Sequence, residues 1–344
     1  MIVNQMDEKH FFENQNTDTE NPEYFTKPPE HFLKIKENLL KEFPKEKIEG
    51  INLERVEDFI REQGLTVKPY IIFNGEDLPK IKKITNELNL YPKNIEKNEA
   101  CATYSPHIDL VFLKREKECE AVNGAIYTER VLLHELEHAA NSHQVLVYDN
   151  NEFSVPRSGF CLPGNKIPQG WFLEEGWAEM QAGKYFERFA NNQELAKLKE
   201  SLGAKDANVG LNDTVQLIID EKVIPLPMKY LIVEPKGDAT ITRSAFAAYG
   251  MELLCEKDPN LFQIMTKARS SAEGLHKLAL AIDKIAPGLF TEISKPKCTD
   301  KEFEETLLTI IEKIHGGMEN VIKAKGRLRE QWDEYLSKQK KAEK

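Results

Sequence analysis

Two histidines, His134 and His138, stand four residues apart in this chain, directly after the apolar residues 131–133. Residues at positions i and i+4 of an α-helix lie on the same face, so a helix here directs both imidazoles towards one point. The apolar residues on the preceding turn require that this helix pack against a core. Two neutral imidazoles at about 2.0–2.1 Å are half of a tetrahedral zinc site. The segment therefore predicts a buried helix that holds a zinc ion.

The residues between the two histidines include two acids. In the forward direction the string H-E-L-E-H is the H-E-x-x-H pattern, in which Glu135 takes a proton from water as general base. The same string satisfies the inverted H-x-x-E-H pattern, in which Glu137 is the base. With eight histidines in 344 residues, chance produces the forward pattern about 0.02 times in such a chain. The pattern is specific, but the five residues alone leave both acids open.

A third metal ligand has to come from outside this helix. Four residues lie within one connection of it: His143, Cys161, Glu174 and Glu175. An extended H-E-x-x-H-x-x-G-x-x-H site is disfavoured, since asparagine and glutamine stand where it needs glycine and the last histidine. The thiol lies in a turn-rich segment without a cysteine partner, which is not typical of a cysteine zinc site. The favoured segment is 171–179, W-F-L-E-E-G-W-A-E, because a carboxylate from it completes a His₂Glu site with one open position.

Together, V-L-L-H-E-L-E-H and W-F-L-E-E-G-W-A-E resemble the paired motifs of the gluzincin metallopeptidases, in particular aminopeptidase-like or minigluzincin-like catalytic cores. In this resemblance Glu175 matches the zinc-binding glutamate, and Glu174 stands where the family usually has asparagine. The resemblance also implies that Glu135 is the base and that Glu179 hydrogen-bonds a ligand histidine. The tyrosine that stabilises the oxyanion in the aminopeptidases has no aligned counterpart, and Tyr249 is a candidate for it.

The resemblance implies a zinc-dependent peptidase that acts on peptide or protein substrates, with the metal held by His134, His138 and Glu175. In the gluzincins an exposed strand beside the active-site helix pairs with an extended substrate, and we expect residues 107–113 to do so here. The alternative function is a catalytically silent, zinc-containing module that binds peptides or regulates a partner. The connection between the two motifs is longer than in the aminopeptidases, so we expect an inserted loop or hairpin within 144–169.

Hydrophobic periodicity elsewhere predicts an α+β chain. We expect a zincin-like catalytic domain over 30–285, with a small mixed sheet beside the active-site helix, and a helical C-terminal extension over 286–344. Residues 1–29 are polar and contain prolines without an apolar period, which is typical of a flexible arm. The strands are predicted over 65–73 and 100–113.

Composition limits the partners of the chain. A net charge of −10 disfavours binding to the phosphate backbone of nucleic acids. Five cysteines without a C-x-x-C pair indicate reduced thiols rather than a disulfide framework. No apolar run approaches the roughly 20 residues that a membrane span needs, and the first residues do not form a secretory signal. We therefore expect a cytoplasmic protein without a membrane segment, whose oligomeric state the sequence does not indicate.

Overall fold

The computed structural model of the protein describes most of the chain between residues 30 and 324. The described residues are 30–45, 50–85, 93–96, 101–115, 117–140, 143–147, 153–162, 169–201, 211, 214–219, 222–233 and 239–324. The predicted arm over 1–29 and the end of the predicted extension, beyond residue 324, lie outside them.

Helices dominate the described residues. They are α1 (Glu30–Glu42), α2 (Leu53–Glu62), α3 (Leu78–Thr85), α4 (Lys93–Glu96), α5 (Lys117–Ala139), α6 (Trp171–Phe189), α7 (Asn192–Ser201), α8 (Arg243–Lys257), α9 (Leu261–Ala268), α10 (Ala272–Ile285), α11 (Leu289–Ser294), α12 (Asp300–His315) and α13 (Met318–Ala324). The strands are β1 (Tyr70–Asn74), β2 (Ala102–Ser105), β3 (Leu110–Arg115), β4 (His143–Val147), β5 (Phe153–Ser158), β6 (Thr214–Ile219), β7 (Lys222–Pro227), β8 (Ile232–Val233) and β9 (Ala239–Thr240). The chain is therefore an α+β protein, as its periodicity predicts. Among these helices, none combines the length and the apolar character that crossing a membrane requires.

A three-stranded mixed sheet in the order β1-β3-β2 lies beside α5. Strand β1 pairs with β3 in parallel, and β2 pairs with β3 antiparallel. The single strand predicted over 100–113 is wrong in its middle, where Asp109 has φ +50° and the chain reverses. The carboxylate of Asp109 accepts hydrogen bonds from the Tyr104 hydroxyl (3.0 Å) and from Lys68 (3.1 Å), which hold the turn. Pro106 and Asp109 are turn residues, and they are the signal that the alternation pattern obscured.

The order of the strands also corrects the predicted substrate strand. The segment 107–113 contains most of β3, which has β1 on one side and β2 on the other. A strand with two neighbours has no free backbone groups for a third. In the part of the sheet that the structure describes, β1 and β2 are the edge strands, and β2 is the one that packs beside α5.

The helices α5, α6 and α8 form the centre of the molecule. Helix α6 packs against α5 on one side and against α8 on the other. A Cβ atom at Gly176 would lie 2.5 Å from the Met251 sulfur and 2.9 Å from the Ala247 carbonyl oxygen, so only glycine permits this approach of α6 to α8. The helices α11 to α13 bury their apolar faces in the core that α6 and α8 form. The described part of the predicted C-terminal extension therefore shares a core with the metal-site region.

Antiparallel hairpins lie in two of the connections between helices, one between α5 and α6 and one between α7 and α8. Strands β4 and β5 pair with each other, so the insertion expected within 144–169 includes a hairpin. Strands β6 and β7 form a second hairpin. The periodicity predicts at most an edge strand at β7 and does not predict β6.

A buried polar network fastens α5 to the C-terminal helices. The fully buried carboxylate of Glu137 accepts hydrogen bonds from Gln63 Nε2 (2.7 Å), Trp177 Nε1 (3.1 Å) and Arg269 Nη1 (3.1 Å). The guanidinium group of Arg269 also donates to the Glu137 carbonyl oxygen and lies over the Trp177 ring. One ion pair therefore joins the end of α5 to the residue that follows α9.

Truncation of this ion pair is expected to destabilise the protein strongly. Arg269→Ala leaves the Glu137 carboxylate buried without its cation, so the free energy of unfolding should fall by about 3–5 kcal/mol, measured by urea denaturation. Lys277→Ala, which removes an exposed i,i+4 pair with Glu273, should change it little. Equal losses in the two variants would contradict this account of the network.

Candidate metal centre

The predicted ligands meet where α5 crosses α6. The rings of His134 and His138 lie on one face of α5, with their centroids 4.8 Å apart and their Nε2 atoms 3.1 Å apart. From α6, Glu175 Oε2 lies 3.5 Å from His134 Nε2, and Glu175 Oε1 lies 3.8 Å from His138 Nε2. In the described part of the chain, these three residues are the one group of histidines, cysteines and acids whose ligand atoms lie close enough to hold a metal ion.

The spacing of these atoms fits a single ion. Two atoms bound at about 2.0–2.2 Å to one tetrahedral ion lie about 3.3–3.6 Å apart. The observed separations of 3.1, 3.5 and 3.8 Å bracket this range. Each of the three side chains also keeps 14% of its surface exposed, so a further ligand can approach from solvent. The group can therefore hold a metal ion with one position open.

The other nitrogen of each histidine faces a carboxylate from α6. His134 Nδ1 lies 3.0 Å from Glu179 Oε2, and His138 Nδ1 lies 2.9 Å from Glu174 Oε1. A carboxylate accepts hydrogen bonds, so Nδ1 carries the proton of the neutral ring and Nε2 presents its lone pair to an ion. The contact that the resemblance implies for Glu179 is present. The contact of Glu174 was not predicted, because the sequence presents this residue only as an alternative ligand.

Glycine 170 determines where α6 begins. Gly170 has φ +80°, and a Cβ atom there would lie 2.3 Å from the Phe160 carbonyl oxygen. Only glycine therefore lets the helix start this close to the segment that follows β5. The same approach brings the Phe160 amide to 2.9 Å from Glu174 Oε2, where it donates a hydrogen bond.

Glu175 is held by hydrogen bonds to both of its oxygens. The Trp171 indole nitrogen donates to Oε1 (2.7 Å), and the Ser244 hydroxyl of α8 donates to Oε2 (2.6 Å). Trp171 precedes Glu175 by one helical turn, and this i,i+4 spacing is a signal that the sequence interpretation missed. No local spacing points to Ser244, since the contact spans 69 residues.

A buried ion pair holds the oxygen of Glu179 that does not face His134. Arg130 lies one turn before His134 on α5, and its guanidinium group pairs with Glu179 Oε1 in the interior. Its other terminal nitrogen donates to the Leu231 carbonyl oxygen (3.3 Å). The contacts therefore form a chain from Arg130 through Glu179 to His134, in which the arginine compensates a buried negative charge.

The two acids between the histidines have different surroundings. Glu135 is half-buried, and its Oε2 accepts a hydrogen bond from the Tyr104 amide of β2 (2.8 Å). The carboxylate of Glu137 is fully buried and engaged by Gln63, Trp177 and Arg269. A general base has to reach solvent and substrate. Of the two acids, Glu135 keeps part of its surface exposed, whereas the Glu137 carboxylate is fully buried.

Of the remaining ligand candidates, Cys161 does not belong to the group of close ligand atoms in the described part of the chain. In the metal-free protein, burial, followed by the charges of Glu174 and Glu175, raises the pKa of the Cys161 thiol well above its usual value. Strand β4 begins at His143, whose side chain lies outside the described part of the structure. Tyr249 is fully buried in the core. Burial, followed by acids of its own helix α8, raises the pKa of Tyr249, so its hydroxyl stays protonated inside the core.

Comparisons of the chain with protein-family models, curated proteins and solved structures give no match. Interpretation of the site therefore depends on its geometry and on the chemistry of its residues.

In the metal-free protein the carboxylates favour protonated histidines. Burial lowers the pKa of His134, but hydrogen bonds with Glu175 and Glu179 outweigh it and raise this pKa well above the usual value. The pKa of His138 is also raised, since the Glu174 hydrogen bond and the Glu175 charge outweigh burial. A metal ion has to displace these protons before it binds.

Metal affinity should therefore increase with pH. From pH 6 upwards, until the pH passes the raised pKa values of the two histidines, we expect the dissociation constant for Zn²⁺ to fall by about 10- to 100-fold per pH unit, as one or two protons leave. Competition with a chelator, corrected for the protonation of that chelator, measures this slope. A dissociation constant that stays the same across this range would show that the histidines do not bind the ion.

Proposed function

We propose that this protein is a zinc-dependent peptidase with a zincin-like catalytic domain. The observation that carries the proposal is the convergence of His134, His138 and Glu175 on one point with an open position, beside the half-buried Glu135. The small mixed sheet beside α5 supports a zincin-like arrangement. The resemblance of the two motifs to those of the gluzincins agrees with both.

The donor set favours zinc. Two imidazole nitrogens and one carboxylate oxygen with a fourth position open are typical of catalytic zinc sites. A zinc ion bound there would supply Lewis acidity, which polarises a carbonyl group and makes water more acidic. The carboxylates of Glu174 and Glu179 orient both imidazoles for this task.

Glu135 would act as general base and then as general acid. It follows His134 directly on α5, so its carboxylate lies at the edge of the ligand face. The Tyr104 amide holds one of its oxygens at 2.8 Å. In the proposed reaction the carboxylate removes a proton from the attacking water and returns it to the leaving amine.

The outer edge of β2 supports a peptide as the substrate. The Lys114 amide donates to the Cys101 carbonyl oxygen, so the polar groups of Cys101 point towards β3. In an antiparallel pair, the backbone N–H and C=O groups of successive residues point alternately towards the partner strand and away from it. The backbone groups of Ala102 and Tyr104 therefore point away from β3, which agrees with the hydrogen bond from the Tyr104 amide to Glu135. The outward groups of Ala102 can pair with an extended peptide, which brings the peptide backbone alongside the proposed base.

Glu135→Gln tests the proposed chemistry. The amide cannot accept a proton, so peptide hydrolysis should fall by about 10²- to 10⁴-fold while zinc is retained at about one per chain. Elemental analysis measures the zinc, and a peptide-library cleavage assay measures the activity. Glu273→Gln, at an exposed position of α10, is the matched control and should cleave like the wild type. Unchanged cleavage by Glu135→Gln would contradict the proposal.

A catalytically silent, zinc-containing module that binds peptides or regulates a partner is the second candidate. The burial of Tyr249 favours it, because this residue does not supply the oxyanion donor that a peptidase uses. Such a module would bind zinc at about one per chain and cleave no peptide of the library. The same two measurements therefore separate the candidates.

A further inference from the structure

We propose that Glu174 is a positioning residue, which fixes His138 and links metal binding to the backbone that follows the β4–β5 hairpin. This inference rests on the proposed metal site and extends it to a residue that the two motifs do not assign. It is based on the Glu174 carboxylate, whose one oxygen contacts His138 and whose other oxygen contacts the Phe160 amide.

The two hydrogen bonds of Glu174 fix its carboxylate group. Oε1 lies 2.9 Å from His138 Nδ1, and Oε2 accepts the Phe160 amide at 2.9 Å. The side chain is buried, so water does not compete strongly for either oxygen. The imidazole of His138 therefore depends on the position of the Phe160 backbone as well as on its own helix.

A carboxylate suits this role better than the amide found at the matching position of the gluzincins. An ionised carboxylate only accepts hydrogen bonds, whereas an amide group can rotate and present its NH₂ to the ring. Glu174 therefore leaves one neutral tautomer for His138, with the proton on Nδ1 and the lone pair of Nε2 towards the ion. Its negative charge also makes the imidazole a stronger ligand.

Glu174 and Glu179 support the two histidines in different ways. Glu179 bonds Arg130 and His134, which both belong to α5, and its link to the Leu231 backbone runs only through Arg130. Glu174 reaches the Phe160 backbone, which belongs to neither helix. Of these two acids, Glu174 is the one that connects the site with the segment after β5.

Packing holds the Phe160 amide in place. The Phe160 side chain is 1% exposed and lies against the Trp177 ring, with 6.3 Å between the centroids. Its backbone also lies directly against Gly170 at the start of α6. This packing leaves the Phe160 backbone little freedom to move. Its position and that of His138 are therefore coupled through Glu174.

Zinc affinity tests the positioning role. Glu174→Gln should raise the dissociation constant for Zn²⁺ by about 10- to 100-fold, measured by chelator competition on protein shown by circular dichroism to be folded. The matched control is Glu129→Gln, since Glu129 is a fully buried acid of α5 that bonds Arg55, Tyr185 and the Asn52 amide. This control should leave the dissociation constant unchanged. If Glu174→Gln does not fold, the same measurement is made on Glu174→Asn, because this substitution also replaces the negatively charged carboxylate with a neutral amide.

Hydrogen exchange tests the link to the backbone. In the wild type, added Zn²⁺ should slow amide exchange at residues 159–162, because a fixed His138 holds Glu174 against the Phe160 amide. In Glu174→Gln saturated with zinc, this protection should be lost. Equal dissociation constants, or equal protection in the two proteins, would overturn the positioning role. Failure of the wild type to bind zinc would instead overturn the proposed function on which it rests.

Discussion

The packing of α5 against α6 places two histidines and three carboxylates in one largely buried contact. Buried ionisable groups are unfavourable unless each finds a partner. Each group has a partner across the contact: His134 Nδ1 faces Glu179, His138 Nδ1 faces Glu174, and the Glu175 carboxylate faces both Nε2 atoms. The rest of the site depends on these pairs, because a displacement of either helix would separate every pair at once.

The residues 134–138 satisfy both the forward and the inverted histidine-glutamate pattern, and the surroundings of α5 distinguish the two. Its histidines face α6 and the open position, while Glu137 faces the interior and pairs with Arg269. Glu135 faces the edge of the sheet, where the Tyr104 amide meets it. The forward and inverted patterns use the same spacing on the helix. They differ only in which acid faces solvent, and the tertiary structure determines that.

Local spacing predicted the parts of the site that one helix can encode. The i,i+4 histidines indicate a metal-binding face, and the acids of the segment 171–179 indicate where the third ligand lies. Contacts between distant segments leave no such pattern. The hydroxyl of Ser244 and the guanidinium group of Arg269 reach the site region from α8 and from the end of α9, so their roles emerge only in the folded chain. The reversal at 106–109 was missed for a different reason, since an alternating pattern continues across it.

The proposed function requires that His134, His138 and Glu175 bind one zinc ion. X-ray absorption spectroscopy of the protein with one equivalent of zinc tests it most directly. If these three residues bind the ion, its ligands should be nitrogen and oxygen atoms at about 2.0–2.2 Å, including two imidazoles, with no sulfur. A sulfur ligand at about 2.3 Å, which would indicate a cysteine such as Cys161, or a spectrum without imidazole scattering would contradict it.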